Sequence, residues 1–430
     1  MRILIVSFAF PPYNAIGAVR VGKMAKYLRQ HGHDVRVLTS RDQPWHPDLP
    51  LEIPADEVVS TRWFNVNYLP EMVAGGRERV AAEGLGSATA RPGLLARLGR
   101  AYQVLLNYPD GQIGWLWPAV RAGDRLVREW RPDVIVASSP PPTGLLVASR
   151  LAARSGVPWV ADLRDLWTTA PYYAQPGWRR GLESRRERRV LGGAAGLVTV
   201  SEPLRRSLAR DYPVPTAVVL NGFDAGDYPD APPPAPDGVV RIVYTGILYG
   251  RKRDPAPLFE AMRRMRNAGG VRVSFYGRGV GIAADVAREH GVQDLVQAHP
   301  PVPYRESLRL QRSADALLLL PGNEPAAGGA YGGKFFEYLG ARRPMVVLAD
   351  AQNVAAAVVL ERSLGIVETD PAALAERLDA WVDAKRRGEL LPDLAAGQVE
   401  EFTREGQARR LAAFLEQVAH ATPARAPEAA

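Results

Sequence analysis

Residues 2–40 read RILIVSFAFPPYNAIGAVRVGKMAKYLRQHGHDVRVLTS, and their periodicity decides the fold. Arg2–Phe10 is a near-continuous apolar run, the mark of a strand buried on both faces of a parallel sheet. Pro11 and Pro12 end it. After the loop Pro11–Gly17, Val19, Met24 and Leu28 recur at helix spacing through Ala18–Gln30, and Gly32 follows where a helix end takes glycine. Asp34–Ser40 is apolar and extended again. Strand, helix and strand in this order form a βαβ unit, so a doubly wound α/β domain starts at residue 1. Gly17, just before the helix, is placed for an anion or a hydroxyl. The loop is not G-x-G-x-x-G, so the dinucleotide fingerprint is absent where it should stand.

The alternation continues downstream. Strand patterns at 133–138, 158–161, 196–200 and 216–220 interleave with helical ones at 119–130, 143–155, 177–191 and 202–210, the last with Ser201 as its N-cap. Between them, 43–107 is less regular, with Trp45, Trp63, Phe64 and Tyr68 and a Gly/Ala-rich part over 75–93. Ordinary packing of an insertion is the favoured reading of 63–73; contact with a membrane or an acceptor is the other. Ligands of open α/β sheets bind beyond the carboxyl ends of strands. Arg164, Asp165 and Trp167 follow such an end and are therefore site candidates, against a buried Arg164–Asp165 pair that merely locks the loop. The helix over 177–191 carries Arg179, Arg180, Arg185, Arg186, Arg188 and Arg189. It could lie against anionic lipid; we favour a solvated face with Glu183 and Glu187 as partners.

Asp227–Gly238 (DYPDAPPPAPDG) is proline-rich and apolar-poor, a stiff spacer. The expected organisation is a first domain over 1–226, a linker over 227–239, a second domain over 240–398, a helix over 399–419 and a disordered tail over 420–430. The second domain repeats the α/β pattern from Val240–Thr245 onward. Gly277-Arg278-Gly279 after the strand at 271–276 imitates a dinucleotide loop but fails at Ile282, where the third glycine should fall. With the fingerprint missing from both domains, a nicotinamide-dependent oxidoreductase is disfavoured. Gly328–Pro344 (GGAYGGKFFEYLGARRP) sets glycines and Lys334 before an apolar helix that carries Glu337. A helix start offers unpaired N–H groups that suit a phosphate, and a carboxylate one turn on can accept from a vicinal diol. The alternative is a capped core helix with Glu337 solvated. Two doubly wound domains on one linker would enclose a cleft at the strand ends.

Length and composition agree: 430 residues exceed one ordinary core, and 47% hydrophobic with 23% charged is a globular balance. The absence of cysteine excludes a disulfide framework, a thiol nucleophile and a thiolate metal site, and fits a reducing cytosol. The net charge of +8 points to an anionic partner. No stretch reads as a membrane span, and the apolar start reads as a strand, not a signal peptide.

Taken in order, SFAFPPYNAIGAVRVGKMAKYLRQHGHDVRVLT, SSPPPTG, VADLRDLW, VTVSE, LNGFD, YTGILYGRKRD, FYGRG, SADALLLLPG and YGGKFFEYLGARRP resemble the family 4 retaining glycosyltransferases of the GT-B fold. The resemblance runs from Met1 to about Ala419, with EFTREGQARRLAAFLEQV resembling the helix that returns to the first domain. It implies an α/β protein of two Rossmann-like domains and a nucleoside diphosphate-sugar donor, with neither cofactor nor metal. It implies Glu337 on the nucleotide ribose, Gly333 and Lys334 near the diphosphate, and Lys252 and Arg253 as the catalytic cations, in a register within one residue of Arg251. Gly246, Gly277 and Val302 would border the donor, with Gly277 and Val302 near the base, and Gly17 would approach the diphosphate from the first domain. Asp165 would assist catalysis, and Arg20, Arg164 and Trp167 would face the acceptor. The family often has a second glutamate on the transferred sugar where this chain has Gly329, with Glu324 as a nearby substitute. The implied partners are the donor and a hydroxyl acceptor such as a lipid-linked oligosaccharide, with peripheral contact to anionic membrane at the cytoplasmic face, and no nucleic acid. A non-catalytic partner in polysaccharide assembly is the alternative that Gly329 leaves open.

Overall fold

The computed structural model describes residues 1–14, 17–43, 45–67, 102, 104–170, 173–248, 250, 253–321, 329 and 331–421. Lys252, Arg251, Glu324, Tyr68 and most of 63–73 lie outside the described residues, as does the tail beyond residue 421. The chain forms two compact units, Met1–Val219 with the residues from Ala408 onward, and Leu220–Gln407.

In the N-terminal unit the order is β1 (Arg2–Val6), α1 (Ala18–Gln30), β2 (Asp34–Ser40), β3 (Val58–Thr61), α2 (Leu116–Trp130), β4 (Val134–Ser139), α3 (Thr143–Ser155), β5 (Trp159–Leu163), α4 (Gly177–Gly192), β6 (Gly196–Thr199), α5 (Glu202–Asp211) and β7 (Thr216–Val218). These strands make a seven-stranded sheet in the order β3-β2-β1-β4-β5-β6-β7, parallel at each pairing. In the C-terminal unit β8 (Val240–Thr245), α6 (Ala256–Arg264), β9 (Val271–Tyr276), α7 (Gly281–Glu289), β10 (Val296–His299), α8 (Tyr304–Ser313), β11 (Ala316–Leu319), α9 (Gly333–Ala341), β12 (Met345–Val347), α10 (Val354–Glu361), β13 (Gly365–Val367) and α11 (Pro371–Arg386) follow. Its six-stranded sheet runs β10-β9-β8-β11-β12-β13. Strand order reverses between β1 and β4 in one sheet and between β8 and β11 in the other, and such switch points are where open α/β sheets bind ligands.

β1 illustrates why the strands form. Ile3, Leu4, Ile5 and Val6 are all buried, with Ile3 and Ile5 facing one apolar layer and Leu4 and Val6 the other. After α12 (Ala396–Val399), α13 (Arg404–Ala421) supplies Leu411, Phe414, Leu415 and Val418 to the layer holding Ile3 and Ile5. This helix therefore completes the core of the N-terminal unit. The sequence interval 227–239 falls within the C-terminal unit, where the Tyr228 hydroxyl donates to the Glu337 carbonyl at 2.6 Å.

Two expectations are corrected. The irregular interval contains β3, an edge strand paired with β2 from Val37↔Val58 to Ser40↔Thr61. It is short and only half-buried, so it lacks the apolar run that marks the central strands. The basic helix α4 does present a solvated face of Arg180, Arg185, Arg188 and Arg189, but the glutamates are not their partners on it. Arg179, Glu183 and Glu187 point inward and are buried. Arg179 donates to Glu183 at 2.6 Å and to the carbonyls of Val104 and Pro109, and also to that of Asn107. Unpaired loop carbonyls are costly to bury, and one guanidinium has enough N–H groups to serve several. Glu187 accepts from the Thr168 amide at 3.1 Å and from its hydroxyl.

The loop that Arg179 holds presents Asp110 to the start of α3. Its carboxylate accepts from the Thr143 amide at 2.7 Å and from the Gln112 amide at 2.8 Å. Shielding from water nevertheless dominates and pushes the carboxyl up to about 6. A folded-state pKa above the unfolded value means that the native chain holds the proton more tightly between the two. The resulting stability is complete below about pH 4 and is lost as pH rises through about 6. Urea midpoints across pH 4–7 should therefore show this component in the wild type and lack it in Asp110→Asn.

Candidate functional site

At the switch point of the N-terminal sheet, two arginines tie α1 to the end of β5. Arg20 on α1 and Asp162 on β5 form an ion pair, with side chains 2% and 0% exposed. Nη2 and Nε of Arg20 reach the two carboxylate oxygens at 2.7 and 3.1 Å, and Nη2 also donates to the Val219 carbonyl at 2.9 Å. Ser138 at the end of β4 donates to Asp162 at 2.9 Å. Arg164, just past β5, donates to the Pro140 carbonyl at 2.6 Å. Its guanidinium also lies on Gly17, the N-cap of α1, so that a Cβ at that position would stand 1.9 Å from Nη1. Gly17 has φ 94°, a conformation that also favours glycine.

The structure thus brings Gly17 and Arg164 together and commits Arg20 to Asp162. Arg20 is a positioning group here, because its guanidinium is enclosed. The alternative of an Arg164–Asp165 lock is not what the structure shows: the buried pair is Arg20–Asp162, which the sequence spacing does not signal. Asp165 stays partly exposed. Trp167 is 5% exposed within the core, where its indole N–H donates to Glu183 at 3.2 Å.

In the C-terminal unit the loops after β8, β9 and β10 are joined by backbone. The Gly246 amide donates to Tyr276 at 2.8 Å, Gly277 to His299 at 3.2 Å, and Leu248 to Arg278 at 3.1 Å. A Cβ on Gly277, at φ 149°, would fall 1.7 Å from the Gly246 carbonyl oxygen, so this approach requires glycine. On the other side of the switch point, α9 opens with Gly332 and Gly333 exposed to open space. Lys334 crosses Gly246, its Cε 3.2 Å from where a Cβ would stand.

Lys334 Nζ then donates to Glu337 Oε2 at 2.9 Å. Gln311 of α8 donates to the same oxygen at 3.1 Å and to Thr245 Oγ1, at the end of β8, at 2.8 Å. Among the described residues none donates to Glu337 Oε1. The Tyr338 hydroxyl accepts from the Thr245 amide at 3.1 Å, fixing the next position of α9. Arg253 lies in the same loop system, with Nη1 3.4 Å from the Ile247 carbonyl. Val302 is partly exposed in the segment between β10 and α8. Gln311 and Thr245 carry no motif. Their joint role appears only when α8 is folded against β8.

Chemically, the C-terminal cluster offers cations, an exposed helix start and a carboxylate with one oxygen to which none of the described residues donates. That combination suits a phosphate and a neighbouring hydroxyl. In the N-terminal unit, truncating Arg20 to Ala would leave Asp162 buried without its counter-ion. The expected cost is about 3–5 kcal/mol, read as a lowered thermal transition, with Asp165→Ala within about 0.5 kcal/mol of wild type.

Comparison with known proteins agrees with this architecture. The profile of the glycosyl transferase 4-like domain matches residues 17–222. A sequence search among curated proteins finds no match. Among solved structures the chain is similar to sucrose-phosphate synthase from Thermosynechococcus elongatus, with TM-score 0.62 and 15% identity over 98% of this chain and 100% of the other. It is similar to HepE of Anabaena, solved in complex with UDP, with TM-score 0.61 and 14% identity over 97% and 100%. It also resembles the lipopolysaccharide outer core galactosyltransferase WaaB, with TM-score 0.53 and 13% identity over 97% and 100%. Residues 17–222 match the profile of the glycosyl transferase 4-like domain, and the chain as a whole has the α/β GT-B fold.

Proposed function

We propose that the chain is a retaining, metal-independent glycosyltransferase. It moves a sugar from a nucleoside diphosphate-sugar to a hydroxyl of a polysaccharide or glycolipid precursor. The observation that carries this reading is the Lys334–Glu337–Gln311 cluster at the β8/β11 switch point, with one carboxylate oxygen open. Glu337 Oε1 accepts from the nucleotide ribose. Lys334, the amides at Gly333, and Arg253 with Lys252 face the diphosphate. Gly246, Gly277 and Val302 border the donor. HepE is also solved with UDP-glucose, which supports a donor of this class.

The bond from the anomeric carbon to the diphosphate oxygen breaks, and the acceptor oxygen bonds to the same face of that carbon. The acceptor proton passes to the departing phosphate. Negative charge develops on the leaving group, so the useful protein contribution is fixed positive potential. Lys334, Arg253, Lys252 and the helix start supply it without a divalent ion. Asp165 and Arg164 lie on the acceptor side, with Arg20 and Trp167 holding that wall in place. The acceptor is lipid-linked, and the protein works at the cytoplasmic side as a peripheral enzyme. No described helix is long and apolar enough to cross a membrane.

The test is a thermal-shift and calorimetric panel of nucleoside diphosphates and their sugars. One nucleotide should stabilise the wild type, and Glu337→Gln should weaken its binding at least about ten-fold, the loss of a charged hydrogen bond. No stabilisation by any member, or unchanged affinity in the variant, would overturn the donor site. Binding without hydrolysis or transfer by the purified protein would favour the non-catalytic reading that Gly329 raises. Asp165→Ala with full turnover would remove Asp165 from the mechanism.

A further inference from the structure

The inward turn of Glu183 and Glu187 leaves α4 with an unusual outer face. Trp178, Leu182, Arg185 and Arg189 recur at helix spacing along one exposed stripe. Trp178 is 57% exposed and Leu182 46%. Arg188 is exposed and Arg186 partly so, flanking the stripe. Among the described residues no ion pair neutralises Arg185, Arg186, Arg188 or Arg189. A soluble helix normally presents acids among its bases. Here the acids are spent on Arg179, Thr168 and Trp167, inside the fold.

The same character continues onto neighbouring elements. The Arg186 guanidinium stacks on Tyr108, 4.1 Å from the ring centre. Arg150 of α3 lies over the ring of Trp117 on α2 at 5.5 Å, and Trp117 is 64% exposed. Burial lowers the Arg150 pKa, and the positive charges of Arg186 and Arg154 add to it. Arg154, on the same helix as Arg150, is paired with Asp124. The helices α2, α3 and α4 all pack on one apolar layer of the sheet. Trp117 and Trp178 therefore stand on one side of the N-terminal unit, Trp117 with Arg150 over its ring and Trp178 on the α4 stripe that carries Arg185 and Arg189.

We propose that the outer face of α4, extended by Trp117 and Arg150, is the surface by which this protein docks on an anionic phospholipid bilayer. Charge complementarity selects the occupant: unneutralised guanidiniums match lipid phosphates, while indole rings and a leucine suit the headgroup boundary. Trp178 and Leu182 enter that boundary, and Arg185 and Arg189 bind headgroups beside them. The proposal rests on the reading of a peripheral enzyme with a lipid-linked acceptor, but not on the donor chemistry.

The test is flotation of the full chain with vesicles of phosphatidylcholine alone and with phosphatidylglycerol added. Wild type should float with the anionic vesicles, release as salt rises, and ignore the neutral ones. Arg185→Gln/Arg189→Gln should lower the partition coefficient roughly thirty-fold, at about 1 kcal/mol per cation near the surface. Trp178→Ala/Leu182→Ala should lower it at least about ten-fold. These positions are exposed, and Arg179, Glu183 and Glu187, which anchor the helix, stay intact. An unchanged thermal transition and unchanged nucleoside diphosphate affinity verify the fold of each variant. Absence of lipid binding in the wild type overturns the proposal, as does binding that neither double variant reduces. Loss of nucleotide binding with flotation intact would count against the donor site and leave the docking face standing.

Discussion

The N-terminal unit depends on one buried ion pair, Arg20–Asp162. Taking both charges out of water is expensive, and a pair this deep is retained only with its hydrogen bonds filled. They are filled: Asp162 accepts from Arg20 and Ser138, and Arg20 also reaches the Val219 carbonyl. One interaction thereby fixes α1, the ends of β4 and β5, and the chain leaving β7. With α1 fixed, Gly17 has a defined position, and Arg164 can rest on it while holding the Pro140 carbonyl. The geometry of the candidate acceptor wall is thus set by charge, from a pair that itself touches nothing outside the fold.

The C-terminal unit reaches the same end with backbone. Its loops are joined by amide–carbonyl bonds running from Gly246 to Tyr276 and from Gly277 to His299, which extend the sheet past its formal ends. No side-chain charge is needed there. Lys334 and Glu337 stay near the surface, where Gln311 and Lys334 hold one carboxylate oxygen and leave the other open. Cations kept near the surface avoid the desolvation cost of burial and stay accessible. A wall that must only keep its shape can bury them.

This difference explains what could be read from the sequence. β1, β4 and β8 are apolar runs, and their alternation with helical periods carries the fold without further information. Gly333, Lys334 and Glu337 sit within a few residues of one another, so their joint placement is local and legible. Arg20 and Asp162 are far apart in sequence, and nothing in either neighbourhood announces the other. Gln311 has the same defect: it meets Glu337 only through the packing of α8 on β8. The strand β3 escaped because an edge strand buries too little to need an apolar run.

The orientation of α4 was illegible for a different reason. A run of arginines with interspersed glutamates has the composition of a solvated face, and composition does not say which side turns inward. The decision is made by groups remote in sequence: the carbonyls of Val104 and Pro109, the Thr168 amide and the Trp167 indole each need a hydrogen-bond partner. They draw Arg179, Glu183 and Glu187 inside. The same accounting holds elsewhere in the buried interior, where Lys385 pairs with Asp315 and Arg20 with Asp162. Pairs such as these cancel one for one. The net charge of +8 must then lie on the surface, and α4, with its acids withdrawn, is a place where that surplus gathers.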